Sequence, residues 1–436
     1  MTGLQIRAVV VATLIVVVEG FEVAMLSFVA KPMAEQWHVS DSTLGVALST
    51  SLFGMAAGAL LFSPVGDRFG RRPLTTGAMV SVVLGMLLSV AAPNIGTLIV
   101  ARLLVGLGIG AMAQLNAYVS EFASDKRRGL VVGIYAAAVP FGAVLCGITA
   151  GALIDSAGWR WVFVVGSVFA AILLVVTWIG LPESVDFLVA RRPKNALERV
   201  NALLAKMGRP TLTELPEHTP EEKQRQRLRE IFTGTTGLRT LALWLGYGGL
   251  MAAYYFAVSW VPKLVAESTG DDKLGTTVGT VLNLGGIVGS LLFAAFALKI
   301  VPRAILIATL SASAIGFAVY GAAFGIGWLA IVLGIALGLL TVAAVAAFYT
   351  VAPTVYPAGL RASGVGWTLG VGRLVSIVSP LGTGFLLDNG WHPGSVFYLM
   401  ALPLAISAVC AVVLARTRKP GEAETVPTFA ARSNVA

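Results

Sequence analysis

The chain has 436 residues, of which 57% are hydrophobic and only 12% charged; soluble domains carry about 25% charged residues, so a soluble globular protein is excluded. The net charge of +9 is not a nucleic-acid signal, because the basic residues gather in loops between apolar segments. His38, His218 and His392 fall in loops, Cys146 and Cys410 lie within apolar runs as packing residues, and no metal-ligand cluster or nucleophile–base pair stands out. Neither an enzyme, a metal site nor a cofactor is expected.

Apolar segments long enough to cross a bilayer occur at 8–30, 43–63, 74–92, 95–119, 129–154 and 160–181, and again at 237–261, 275–298, 304–324, 328–351, 362–387 and 395–415. The pattern predicts an all-α integral membrane protein with twelve transmembrane helices in two six-helix bundles, 1–181 and 237–418. A solvated linker, 182–236, joins them, with a short amphipathic helix over 197–208, and a polar, disordered tail follows at 419–436. The first run lacks a small-residue cleavage site and reads as a retained helix. Basic residues (Arg68, Arg71, Arg72, Lys126, Arg127, Arg128, Arg416, Arg418) mark one side of the membrane as cytoplasmic, with both termini there, in an inner cell membrane.

In chain order, the first chemistry is VVVEGFEV, where Glu19 and Glu22 sit inside an apolar run. Three residues apart, they share one helix face. With Lys31 marking the outer end of helix 1, Glu22 lies ~13 Å and Glu19 ~18 Å below it at the α-helical rise. Arg102 lies ~13 Å below Pro93 by the same rise, at a depth where it can meet Glu22. An intramembrane ion pair makes either charge tolerable. A structural pair needs one carboxylate, and this helix has two. The expected proton-coupling group is therefore Glu19, Glu22 and Arg102, with Glu22 tied to Arg102 and Glu19 exchanging the proton.

The turn GDRFGRR (66–72) supplies Asp67, Arg71 and Arg72, and EFASDKRRG, from Glu121, supplies Glu121 and Arg128. These five are expected to form a cytoplasmic charge cluster that closes the inner side. The halves repeat: Arg128 is followed by Asp155 in GALID as Arg361 is followed by Asp388 in GFLLD, and Glu121 aligns with Thr354. GDRFGRR decays to LKIVPRA around Lys299 and Arg303. Repeated six-helix halves are the plan of a secondary transporter with a midplane site.

The second half keeps Arg373 mid-helix, about 16 Å in from Ala362 at the helical rise, with no acidic residue in a helix core of its half. It is the first candidate for a substrate carboxylate, since guanidinium binds carboxylate bidentately. Arg102, Tyr254, Tyr255, Trp367 and Asn283 are the other candidate substrate residues, while Trp260 is expected in an interfacial aromatic belt.

GDRFGRR in that turn, RLLVGLGIG (102–110), EFASDKRRG and LPES after helix 6 resemble the signature motifs of the major facilitator superfamily. EGFE in helix 1 and GRLVSIVSP (372–380) in helix 11 resemble the aromatic acid:proton symporter family, which usually has aspartates where this chain has Glu19 and Glu22. The resemblance spans residues 5 to 418 and implies proton-coupled uptake of a small aromatic or related monocarboxylate by alternating access, by a monomer in the lipid bilayer, with no nucleic-acid partner. The alternative is a proton-linked exporter of drugs or metabolites, for which AAVPFG (137–142) is a partial match to the usual Gly-Pro motif.

Overall fold

A computed structural model describes residues 1–123, 128–215, 231–356 and 361–417. The described chain is helical: α1 (Gly3–Trp37), α2 (Asp41–Phe69), α3 (Arg71–Val90), α4 (Ile95–Ala111), α5 (Leu115–Phe122), α6 (Arg128–Ala157), α7 (Arg160–Gly180), α8 (Val185–Arg191), α9 (Ala196–Lys206), α10 (Gly234–Thr269), α11 (Asp272–Phe296), α12 (Pro302–Ala322), α13 (Gly327–Val355), α14 (Arg361–Asp388) and α15 (Pro393–Arg416). Twelve spans are long and apolar enough to cross a membrane, with α4 and α5 counting as one. The protein is thus a multi-pass membrane protein with the expected twelve spans. The membrane side at which α1 begins is here called the near side.

Local chemistry sets the turns. Ser40, Asn94 and Ser184 cap α2, α4 and α8 by accepting from the backbone N–H groups of Thr43, Thr97 and Phe187. Between α2 and α3 one residue, Gly70, serves both helix ends at φ 109°, a conformation that excludes a Cβ.

Helix 1 does not end at Lys31. It runs through Pro32 to Trp37, and α10 likewise runs through Pro262 to Thr269. Proline removes the hydrogen bond to the carbonyl four residues back. For Pro262 that carbonyl is Val258 O, and Ser27 Oγ of α1 donates to it at 2.7 Å. A side chain from a neighbouring helix thus satisfies the freed group, as burial in a membrane protein requires.

The chain forms two compact units. The first holds Met1–Pro220, Ala257–Asn283 and Ile377–Trp391; the second holds Glu221–Phe256, Leu284–Ser376 and His392–Ala436. The far-side stretches of α10, α11 and α14 therefore count with α1 to α9. The linker is more than a solvated strand of chain: α8 and α9 pack Leu188, Val200 and Leu204 into a small apolar core. Cys146 and Cys410 are free and buried, as a packing role requires. His218 and the tail 419–436 lie outside the described residues.

Candidate functional site

Small residues place the charged helices of the first unit. A Cβ on Gly20 of α1 would collide with Val139 O of α6, and one on Gly142 with Val17 O. The same reciprocity joins α2 and α4: Gly54 faces Leu103 O, Gly58 faces Leu107 O, Gly106 faces Ser51 O and Gly110 faces Met55 O. Backbone-to-backbone approach of this kind is how membrane helices pack without a hydrophobic driving force. The glycines of RLLVGLGIG are contact surfaces, and they hold Arg102 at a fixed depth.

At that depth Arg102 Nη1 donates to Glu22 Oε2 at 3.0 Å, with each side chain only 1% exposed. Nη2 donates to Ser89 Oγ at 2.7 Å and meets Met86 Sδ at 3.2 Å, while the guanidinium lies 5.1 Å from the Phe163 ring centroid. The predicted pair forms. Its enclosure also separates the two roles expected of Arg102: the pairing role fits, whereas a guanidinium walled in by Glu22, Ser89, Met86 and Phe163 presents no face to a substrate. Arg102→Met is expected to destabilise the protein by roughly 3–5 kcal/mol, because Glu22 is left buried without its counter-charge. Thermal unfolding in detergent checks this, and Arg102→Met combined with Glu22→Met should recover most of the loss.

Glu19, on the same face of α1, is only half buried and lies within electrostatic reach of the Tyr135 phenol of α6. The two glutamates thus have different surroundings, one sealed with Arg102, the other half buried near a phenol.

In the second unit Arg373 is exposed about halfway along α14, and its Nη1 donates to the Tyr255 hydroxyl at 3.4 Å. Tyr254 and Tyr255 pack edge to face, with centroids 5.3 Å apart. Three of the expected substrate residues are thereby brought together. Trp367 is set apart: half exposed, its ring lies tilted by 36° to that of Trp244 with centroids 6.1 Å apart, nearer the near-side end of α14. Asn283, in the first unit, is buried with its Nδ2 turned back onto Gly279 O at 2.9 Å. Trp260 is not a belt residue. It is 0% exposed, its Nε1 donates to Pro380 O at 3.2 Å, and its ring lies 5.7 Å from Lys263 Nζ. The physical reason is that α10 continues two turns past it and α14 covers it.

On the near side Arg71 pairs with Glu121, whose other carboxylate oxygen accepts from Ser184 Oγ at 2.8 Å. Glu183, which the sequence reading left without a role, accepts from the Arg71 and Arg72 backbone N–H groups at 2.9 and 3.2 Å. A carboxylate there meets the positive end of the α3 dipole. Arg72 reaches Trp178 O at 2.8 Å. The side chains of Asp67 and Arg128 lie outside the described residues. The second unit carries the decayed copy: Arg303, at the start of α12, donates to Thr354 Oγ1 at 3.2 Å, where the aligned first-half residues are Arg71 and Glu121.

The far side carries a second charge cluster, all within the first unit, that sequence reasoning missed. Lys31 binds Asp272 at 2.5 Å and lies 3.9 Å from Glu35; Lys263 binds Asp41 at 2.7 Å and Glu267 at 2.5 Å. Each lysine of α1 or α10 thus reaches the first turn of α11 or α2, and each has a glutamate four residues on. Asp388 accepts from the Asp41 and Ser42 N–H groups at 2.8 and 2.9 Å, and its repeat partner Asp155 lies 3.4 Å from Lys273 at the start of α11. The signal was present as KPMAE (31–35) and KLVAE (263–267), the same spacing in both halves.

Comparison with known proteins places these features in context. The family described as Major Facilitator Superfamily matches residues 12–380 and 243–436. The chain is 30% identical over 415 residues to the 4-hydroxybenzoate transporter PcaK of Pseudomonas putida, covering 94% of this chain and 92% of that protein. It is also 30% identical over 407 residues to a gallate transporter of Pseudomonas putida, covering 93% and 90%. A crystal structure of a D-xylose-proton symporter shares the fold with a TM-score of 0.76 at 16% identity, covering 96% of this chain and 99% of that one.

Proposed function

The chain belongs to the Major Facilitator Superfamily and is a transporter, not an enzyme, and on that premise we propose that it imports a small aromatic monocarboxylate together with a proton by alternating access. The observation that carries the reading is Arg373. It is an exposed guanidinium at the middle of a spanning helix, the depth of a transporter's midplane site, with the Tyr255 hydroxyl 3.4 Å away and Tyr254 packed on Tyr255. A planar cation beside aromatic rings suits a planar aromatic carboxylate. The relatives named for 4-hydroxybenzoate and gallate support the same class.

Proton coupling falls to the first unit. Glu22 stays ionised against Arg102, and Glu19, half buried without being enclosed, takes and releases the proton. The near side is cytoplasmic, so the Arg71–Glu121–Ser184 cluster, with Asp67 and Arg128, is the inner gate, and the duplicated lysine cluster is the outer one. Proteoliposomes test the whole reading. Labelled 4-hydroxybenzoate should accumulate against its gradient when the outside is made acidic, and a protonophore should abolish the accumulation. Stoichiometric binding without accumulation would instead mark a receptor.

The outer gate has its own test. Lys263 is 3% exposed and holds two carboxylates, so Lys263→Met removes the bond between α10 and α2. It is expected to open the far side more often. A Thr276→Cys reporter, 7% exposed in a cavity that it lines with Lys31, Lys263 and Asp272, should then react several-fold faster with an impermeant maleimide added from outside. An unchanged rate removes Lys263 from the gate.

A further inference from the structure

Two tyrosines that the proposed function does not use stand beside its arginine. Tyr247 of α10 and Tyr349 of α13 face each other with hydroxyl oxygens 3.3 Å apart. Tyr247 is 4% exposed and Tyr349 is 52% exposed. Phe348, next to Tyr349 in α13, is sealed at 1%, while Thr350 on the other side is half buried, so the exposed tyrosine lies on a more open and more polar face of the helix.

Tyr247 is held in place from two sides. Its ring packs edge to face on Phe348, with centroids 5.6 Å apart. It also fills a notch at Gly372, where any Cβ would overlap it and would crowd Met251 as well. Gly372 immediately precedes Arg373, so the ring is registered against the segment of α14 that carries the guanidinium, and Tyr247 and Arg373 interact electrostatically. The hydroxyl pair and the guanidinium share one wall of the second unit.

The pair has hydrogen-bonding capacity to spare. Two phenols hold two donors and several lone pairs, and the bond between them uses one of each. Among the described residues neither hydroxyl makes a second bond. A rigid buried hydroxyl joined to a half-exposed one is a preorganised receptor for another hydroxyl, because little ordering is needed on binding.

We propose that Tyr247 and Tyr349 read a ring hydroxyl on the substrate, so that the protein selects hydroxylated aromatic acids over the unsubstituted acid. The inference rests on the reading of Arg373 as the carboxylate ligand. With the carboxylate there, a ring hydroxyl has to reach the tyrosine pair, whose Tyr247 member lies within electrostatic range of Arg373. A site that hydrogen-bonds a substrate hydroxyl discriminates against the analogue lacking it, because the site's own polar groups are left unpaired.

Binding of 4-hydroxybenzoate and benzoate to the purified wild type, Tyr247→Phe, Tyr349→Phe and Arg373→Ala proteins tests this by titration calorimetry. Phenylalanine keeps the ring packing, so folding is preserved. The wild type should bind 4-hydroxybenzoate about tenfold more tightly than benzoate. Each Phe variant should lose most of that preference, with benzoate affinity within twofold of wild type. Equal weakening of both acids would make the tyrosines structural, and no change in either would make Tyr349 an interfacial belt residue; each overturns the inference while leaving the carboxylate reading standing. A wild type that binds neither acid overturns both, and an Arg373→Ala protein that binds both acids normally overturns the functional reading first.

Discussion

Arg373→Ala is expected to abolish measurable uptake and to weaken binding of an aromatic monocarboxylate at least a hundredfold. A bidentate, charge-assisted pair is the strongest hydrogen-bonded contact an organic anion can make with a side chain. Losing about 3 kcal/mol of it corresponds to two orders of magnitude in affinity. Arg373→Lys should recover only a small part, because ammonium is a point charge without the planar fork. The variant should fold, since Arg373 is exposed and Tyr255, whose hydroxyl it meets at 3.4 Å, is only half buried. Equilibrium binding of 4-hydroxybenzoate in detergent checks the result. Unchanged affinity in Arg373→Ala moves the carboxylate elsewhere, and it cannot move to Arg102 without breaking that residue from Glu22.

Much of this arrangement was legible before any coordinates. Twelve apolar runs give twelve spans because the bilayer forces every backbone group to be satisfied within a helix. The Glu22–Arg102 pair followed from counting residues inward from two helix ends, which works because the α-helical rise is constant. It worked despite a wrong end: α1 continues to Trp37, but Lys31 still marks the level of the far-side charges. The repeat was read correctly at Glu121 and Thr354, which occupy matching contacts with Arg71 and Arg303.

The misses have a common cause. Trp260 looked interfacial because apolar content falls after it, yet α10 runs on through Pro262 and the residue is sealed by α14. The far-side cluster joins residues more than two hundred positions apart, such as Lys31 with Asp272 and Lys263 with Asp41. Hydropathy orders residues by depth and says nothing about which helix lies opposite. Tyr247 and Tyr349 were passed over for the same reason, since neither is unusual on its own helix and the pair exists only across two of them. Glu183 was visible within LPES, but its contact is with backbone N–H groups at the start of α3, which no side-chain pattern announces.

Glu19→Gln is expected to separate transport from its driving force. Glutamine mimics the protonated carboxyl in shape and charge, so substrate binding and substrate counterflow should survive. Accumulation driven by a pH gradient should fall to the level set by the substrate gradient alone. The argument begins with the cost of charge in a membrane interior. Glu22 meets that cost with Arg102, Ser89 and the Phe163 ring around the pair. Removing its charge would leave Arg102 buried and uncompensated, so Glu22→Gln should lower stability along with transport. Glu19 lies outside that pair, half buried, with the Tyr135 phenol within electrostatic reach. Under the proposed function, an anion loaded into the membrane interior makes further negative charge there more costly, and protonation of Glu19 removes one such charge. On that reading substrate and proton are expected to load together, and their combined neutrality to ease the rearrangement of the helices. The measurement is uptake of labelled 4-hydroxybenzoate into proteoliposomes with and without an imposed pH difference, alongside counterflow at equal pH. If Glu19→Gln still concentrates substrate in response to the pH difference, the proton travels by another carboxylate; if counterflow is lost as well, Glu19 serves the structure of α1 and not the coupling.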